Sequence, residues 1–167
     1  GQELGLHGAD HVAGNGQRWS RNPMAWRPGP GLGFTTAPAP WTPFSADTTS
    51  VAAQDGVAGS VLETYRALIR LRAASAPLRR GSYRELTAAR PEVWAFLREH
   101  QGQRVLVVFN FGGTAVATTV DLAAAGVTAA TATDLIAGAT LPSVTPATAA
   151  AWPVAVAPGT GRWIVLE

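Results

Sequence analysis

QRVLVVFNF, residues 103–111, is apolar at almost every position, and how it is read decides the fold. β-Branched and aromatic side chains favour a pleated strand, and the run lies in a part of the chain where apolar residues recur at a period of two rather than 3.6. Leu106, Val108 and Asn110 make up one face of that strand and the alternate residues the other. Both sets are so apolar that the sequence leaves open which is buried. A central strand is expected.

Working outward, HQGQ (100–103) separates this run from EVWAFLRE (92–99), and its glycine can supply the positive φ of a hairpin turn. Further short runs follow the same pattern: GSYREL (81–86), TAVATTVDL (114–122), TATDLIAG (131–138), PVAVA (153–157) and RWIVLE (162–167). Strands this short and evenly spaced, without helices to cross between them, specify an antiparallel sandwich or barrel and exclude a parallel one. Residues 123–152, rich in alanine and threonine, read as loop with one or two edge strands. The β part, from about residue 81 to 167, is expected to be a small independent domain.

Upstream the period is helical. In SVLETYRALIRLRAASAPL (60–78), Ser60 and Glu63 form a capping box, Val61, Leu62, Tyr65, Leu68 and Ile69 recur at helical spacing, and Glu63, Arg66 and Arg70 lie opposite. Pro77 stops it. One helix over about 61–75 is predicted. Residues 1–57 show neither period; they are rich in proline and glycine and hold Trp19, Trp26 and Trp41. So long a loop is functional or packs against something else, and these residues read as a piece of something larger.

Composition narrows the function classes. A hydrophobic share of 47% and a charged share of 14% describe a folded globular chain. No apolar run approaches the roughly 18 residues of a membrane-spanning helix, so no membrane partner is expected. All basic residues are arginine, the formal net charge is only +2, and the arginines are dispersed, which argues against a nucleic-acid partner. With no cysteine there are no disulfides or thiolate metal sites. His7 and His11 are four apart but lack a third ligand and sit among glycines, so they read as solvated loop residues. GNGQ (14–17) and GPGLG (29–33) are not phosphate loops, because neither follows a strand and opens a helix with a lysine. Trp19 and Trp41 read as loop anchors, Trp94 and Trp163 as core.

Several segments together carry a resemblance. GQELGLHG (1–8) is similar to the glycine-acid segment closing the eighth barrel strand in glycoside hydrolase family 13, the α-amylase superfamily. RNPMAW (21–26) resembles that family's R-T-P-M-Q-W segment, GLGFTTAPAPWTPF (31–44) its G-F-T then P-W-x-P-V stretch, and residues 51–83 its N-V-x-x-Q, helix and L-R-x-G-x-Y run. VLVVFNF (105–111) is similar to a strand of the family's C-terminal β-domain. The pieces occur in the family's order across roughly residues 1–120.

What the resemblance implies is an α+β chain: the end of a (β/α)8 barrel (last strand, active-site loop, last helix) over residues 1–78, then an antiparallel β-sandwich over 79–167. Residues 1 to about 5 would finish the last strand, and the loop after it would lie at the sugar-binding rim, since barrel enzymes place their sites at the C-terminal ends of the strands. Arg21 matches the arginine that helps hold the non-reducing-end sugar, a role suited to a planar fork of donors. Trp26 matches the motif tryptophan; it joins Arg21 as a substrate-binding candidate, although burial under the loop is the preferred reading of that ring. Gln2 stands where an acid is common, and Glu3 matches the second acid as a hydrogen-bonded structural carboxylate. Pro23 and Met24 read as packing residues. Asn22 and Ala25 depart from the motif's threonine and glutamine, which leaves the substrate specificity open.

Retaining glycosidases work with two carboxylates about 5 Å apart. In the family resembled these acids, with a third aspartate, belong to barrel segments that would precede Gly1, so no catalytic residue is expected in this chain, and it alone should be inactive. The implied function is that of the C-terminal part of an enzyme that hydrolyses α-glucosidic bonds in starch-derived oligosaccharides. Its partners would be an α-glucan or malto-oligosaccharide and the remainder of the barrel, with no cofactor or metal. Two alternatives stand beside it: a non-catalytic carbohydrate-binding or structural β-module, and a transglycosylating or isomerising relative such as a trehalose synthase.

Overall fold

The computed structural model describes residues 1–7, 22–37, 43–45 and 49–167, in two compact units, residues 1–69 and 70–167. The first unit holds a 3-10 turn at Gln2–Leu4, a second at Pro30–Gly33, helix α1 (Val51–Gln54) and the greater part of helix α2 (Val61–Ala74). Residues 2–4 are therefore helical in hand, not strand: Leu4 and Leu6 both donate to Gly1 O, and Gly5 ends the turn at φ 67°. Glycine suits that left-handed position because it carries no Cβ.

Helix α2 begins where the capping serine predicts, with Ser60 Oγ accepting from Glu63 N at 3.2 Å. The reciprocal half of the box is not made. The Glu63 carboxylate accepts from Gly56 N at 3.0 Å and pairs with Arg66 at 2.6 Å. The turn before the helix is thus held by a side chain inside it. The proline expected to stop the helix instead starts another: α2 ends at Ala74, Ser75 Oγ accepts from Leu78 N, and α3 (Ala76–Arg80) follows with Pro77 in its first turn. Proline is at home there, since its missing N–H has no helical partner in the first turn anyway.

The second unit is a β-sandwich of eight strands: β1 (Ser82–Leu86), β2 (Val93–His100), β3 (Gln103–Asn110), β4 (Val116–Val120), β5 (Ala130–Asp134), β6 (Thr140–Val144), β7 (Trp152–Val156) and β8 (Gly161–Leu166). Six form one antiparallel sheet in the order β1-β2-β3-β8-β5-β6, and β4 pairs with β7 in a smaller sheet. β6 is the edge strand expected within the alanine- and threonine-rich stretch. The β2–β3 hairpin turns on Gln101 and Gly102, both at positive φ. Two consecutive left-handed residues give a turn whose twist matches that of the strands it joins.

The ambiguity of β3 is resolved by burial of both faces. Leu106 and Val108 join Ala95, Leu97, Ile164 and Leu166 against Val120, Trp152, Val154 and Val156 of the small sheet, forming the main core. Val105 and Val107 pack on the opposite side beneath Leu78 of α3 and Leu71 of α2. An almost continuous apolar run is what a strand covered on both sides requires. Trp152 is fully buried and donates its indole N–H to Pro142 O at 2.9 Å, so its polar handle is satisfied.

Two buried polar residues knit the loops of the sandwich. Asn110, at the end of β3, donates through Nδ2 to Thr114 O, Val156 O and Ala157 O at 2.8, 3.2 and 3.2 Å, and accepts from Gly112 N at 2.8 Å. Asp134 accepts from the amides of Ile136 and Ala137 and lies 3.2 Å from Arg162 Nε. Each converts a tight loop into a satisfied buried network, the condition under which interior polar groups stabilise rather than cost.

Candidate functional site

The residues singled out by the sequence fall in the first unit, and Gln54 organises what surrounds them. Its amide donates to Leu4 O at 2.8 Å and Thr49 Oγ1 at 2.6 Å, while its carbonyl oxygen accepts from Leu62 N at 2.9 Å. One side chain therefore fastens the opening turn, the segment before α1 and the first turn of α2. Ser60 Oγ adds a bond to Gln54 O at 3.0 Å, which fixes the clamp from its own backbone. The sequence signal for this was the glutamine of the N-V-x-x-Q resemblance, which carried no reading of what the side chain holds.

Asn22 to Trp26 is held at several points. Asn22 donates to Pro43 O at 3.0 Å, Ala25 O accepts from Val51 N at 2.9 Å, and Trp26 O accepts from Ala52 N at 3.0 Å. Pro23 and Ala25 are buried. Trp26 and Arg27 both donate to Leu32 O, at 2.9 and 3.2 Å, closing the turn that carries Gly29, Gly31 and Gly33 at positive φ. A side chain at Gly33 would put its Cβ 2.8 Å from Arg27 Cγ, so the turn needs glycine for space as well as for φ.

Trp26 contradicts the burial reading. Its backbone is fixed on both sides, yet the residue is 52% exposed. Burial alternates along this segment, with Pro23 and Ala25 turned inward and Trp26 facing out. The ring is presented from a backbone hydrogen-bonded to Leu32 and Ala52. Beside it, Arg27, Pro30, Gly33, Phe34, Thr35 and Thr36 line a shallow concavity.

Glu3 is half-buried and holds its charge readily. Its own backbone N–H, the largest cause, holds its carboxyl below the usual carboxylate range. Gln2 is exposed. Arg21, Trp19, Trp41 and His11 lie outside the described residues. His7 is exposed, and its carbonyl accepts from Ser45 Oγ at 2.8 Å. Among the described residues no group of three or more His, Cys, Asp or Glu side chains is placed to hold a metal ion, and no helix is long and apolar enough to cross a membrane.

The two tryptophans read as core behave differently from that expectation. Trp163 is partly buried against Phe109 with ring centroids 5.4 Å apart, edge to face, whereas Trp94 is 39% exposed on the outer face of the large sheet. Gly161 allows the Phe109 ring to lie over β8, for a Cβ there would fall 2.6 Å from two of its ring carbons.

Known proteins place the chain. Residues 83–163 match the family described as the C-terminal domain of maltogenic amylase. Trehalose-6-phosphate hydrolase of Escherichia coli (strain K12) is 38% identical over 93 residues, which are 54% of this chain and 17% of that protein. The probable oligo-1,6-glucosidase 2 of Bacillus subtilis (strain 168) is 35% identical over 94 residues, 55% of this chain and 17% of the relative. Among solved structures, the trehalulose synthase MutB from Pseudomonas mesoacidophila MX-45 superposes with a TM-score of 0.70 at 25% identity, over 89% of this chain and 25% of that one. A MutB mutant in complex with glucose gives 0.69 at 26% identity with the same coverage. The chain thus spans under a fifth of the curated relatives' length and about a quarter of the solved one's. The kinship read in its motifs, with the α-glucosidase and oligo-1,6-glucosidase enzymes of glycoside hydrolase family 13, is thereby shown.

Proposed function

From that kinship we propose that the chain serves as the C-terminal portion of a retaining enzyme acting on α-glucosides, with residues 1–78 completing a (β/α)8 barrel and 79–167 forming its β-domain. The observation that supports this most directly is the superposition on trehalulose synthase, which extends over 89% of the chain and so takes in far more than the β-domain. Helix α2 supports it independently. Val61, Tyr65 and Ile69 recur every four residues along one face and are all exposed, Ile69 at 65%. Such an apolar stripe on a barrel's last helix is the surface that would lie on the strands and neighbouring helices.

In this reading the chain supplies the rim of the sugar site and none of the chemistry. Arg21, next to the anchored Asn22, would donate its guanidinium fork to hydroxyls of the non-reducing-end sugar. Trp26 would offer the face of its ring to a further sugar unit, an apolar surface against the C–H face of a pyranose. Glu3 and Gln2 would lie beneath, with Glu3 kept ionised. The substrate class is a malto-oligosaccharide or short α-glucan, and the reaction is double displacement at the anomeric carbon with two carboxylates from the barrel strands.

Transfer or isomerisation in place of hydrolysis is a second reading, favoured by the likeness to trehalulose synthase. The two differ in whether water or a sugar hydroxyl reaches the glycosyl intermediate. The experiment is to express the complete reading frame containing these residues and follow maltose and sucrose by proton NMR. Initial release of α-glucose supports retaining hydrolysis, and an isomeric disaccharide supports transfer. A frame encoding no barrel acids, or a product of inverted configuration, refutes the proposal. In the active protein, Arg21→Ala should lower kcat/KM by about 10- to 150-fold, since a hydrogen bond to a charged group contributes about 1.5–3 kcal/mol.

A further inference from the structure

Arg27 follows directly on the last residue of the RNPMAW segment. Its backbone is fixed where its N–H meets Leu32 O, and its stem crosses Gly33. A Cβ at Gly33 would fall 2.8 Å from Arg27 Cγ, 3.2 Å from Nε and 3.3 Å from Trp26 Cβ. The glycine therefore leaves the room in which the arginine lies, and the guanidinium reaches the concavity that it lines with Pro30, Phe34, Thr35 and Thr36. Arg27 is exposed, and so are the two rings nearest it in sequence and turn, Trp26 at 52% and Phe34 at 53%. Among the described residues of this unit no carboxylate is left for Arg27. Asp55 and Glu63 both pair with Arg66, and the Glu3 carboxyl is held by its own backbone N–H. No described carbonyl or hydroxyl oxygen accepts from the Arg27 guanidinium either.

We propose that Arg27 is a specificity-determining residue that reads an oxyanion, a phosphate ester or a carboxylate, carried by a sugar of the α-glucoside. The proposal rests on the function given above and narrows its substrate class. A guanidinium is a planar fork of donors that takes two oxygens of one anion at once, and it is weakly hydrated, so it gives up water readily to do so. The exposed rings of Trp26 and Phe34 offer apolar surface to the C–H face of a pyranose. Thr35 Oγ1 accepts from Ala37 N at 3.0 Å and keeps its own proton to donate to a further oxygen. A neutral sugar in this concavity would use the rings and leave the charge without a partner. A free inorganic anion would use the charge and leave the rings in water. A sugar bearing an oxyanion uses both. Since the guanidinium is exposed, its hold on the anion is screened by salt.

The test is inhibition of maltose hydrolysis by the product of the complete reading frame, with glucose, glucose 6-phosphate, glucuronate and inorganic phosphate as competing probes. An anionic sugar should inhibit about tenfold more tightly than glucose, the size of one charge-assisted hydrogen bond at an exposed site. That ratio should fall toward one in Arg27→Gln, be partly kept in Arg27→Lys, and shrink as ionic strength rises. It is read within each variant, so a general loss of activity leaves it unmoved, and calorimetric titration of the same probes supplies it for a variant that hydrolyses too slowly. Preference for glucose 6-phosphate alone supports a phosphate ester as the group read, and equal preference for glucuronate supports any oxyanion. Equal inhibition by glucose and both anionic sugars, in a longer protein that hydrolyses with retention, overturns the proposal and leaves the function above standing. A preference that survives Arg27→Gln overturns it in favour of another cation, and inorganic phosphate as potent as glucose 6-phosphate overturns it in favour of a bare anion site. A reading frame without barrel acids overturns both.

Discussion

Replacing Asn110 by leucine and by aspartate separates the two things its amide does. The residue is 1% exposed; its Nδ2 faces three carbonyls and its Oδ1 takes the Gly112 N–H. Leucine conserves volume and deletes both functions. The Gly112 amide is left without its partner, a cost of about 1–3 kcal/mol, and loss of the donated bonds to Thr114 and Val156 adds about 1 kcal/mol each. A total of about 3–5 kcal/mol follows. With a urea dependence of about 1.5 kcal/mol per M, the unfolding midpoint of the sandwich should drop by about 2–3 M, with little change in slope. Aspartate keeps the acceptor for Gly112 but turns an oxygen toward the three carbonyls. Burial and those carbonyls disfavour the carboxylate, so its folded-state pKa must lie above the unfolded value of about 3.9. A raised pKa makes the acid form's stability fully present below pH ~3.9, where the proton can be donated to a carbonyl, and loses it as pH rises through the folded-state value. Urea titrations followed by far-UV circular dichroism at several pH values should therefore show Asn110→Asp losing ground to wild type from acid toward neutral pH, while the deficit of Asn110→Leu stays constant. A leucine variant within about 0.5 kcal/mol of wild type, or a pH-independent aspartate deficit, would refute the assignment of this network.

Three further outcomes are expected. Gly161→Ala should cost about 1–3 kcal/mol by driving its Cβ into the Phe109 ring, and Phe109→Leu in the same chain should recover part of that, a coupling that a double-mutant cycle by thermal unfolding measures directly. Gln54→Leu should release the opening turn from α2, seen as faster amide exchange at Leu62, whose N–H loses its acceptor, with no change in the exchange of β3 amides. Glu92, held below the usual carboxylate range chiefly by the hydrogen-bonded Arg90 guanidinium, contributes stability present above the unfolded carboxyl pKa and lost as pH falls through its folded value. The acid limb of the stability curve should accordingly flatten in Glu92→Gln, and an unaltered limb would remove Arg90–Glu92 from the account.

The β-domain was largely legible because period-two runs and turn residues report directly on strands, and seven of the eight strands coincide with apolar runs in the sequence. β6 was the weak one: TLPSV carries a proline and few apolar residues, tolerable only because it lies at an edge. α3 was illegible since Pro77 both stops one helix and starts another, and only the Ser75 cap distinguishes the two. The side of β3 that faces the core could not be read because both sides do. Trp94 misled for a related reason: a tryptophan in a strand looks like core, yet this one stays 39% exposed beside Phe96, Phe109 and Phe111. In the first unit the family motifs drew attention to Arg21 and Trp26, and the N-V-x-x-Q match includes Gln54, but no motif says which segments that glutamine ties together. Hydrogen bonding over long sequence separation leaves no periodic trace.

The sheet order carries a temporal consequence. β8 lies between β3 and β5, so the strand that joins the two halves of the large sheet is the last of the eight to leave the ribosome. Until then β1-β2-β3 can form as a meander, but β5 and β6 have nothing to attach to except each other, and the open flank of β3 is an unpaired, strongly apolar edge. Synthesis proceeds at about 5–20 residues per second, so that edge is exposed for some seconds on every molecule made. Misassembly between nascent chains would be concentrated in this interval, and slowing translation just before residue 161 should raise the aggregated fraction without altering the stability of chains that have folded.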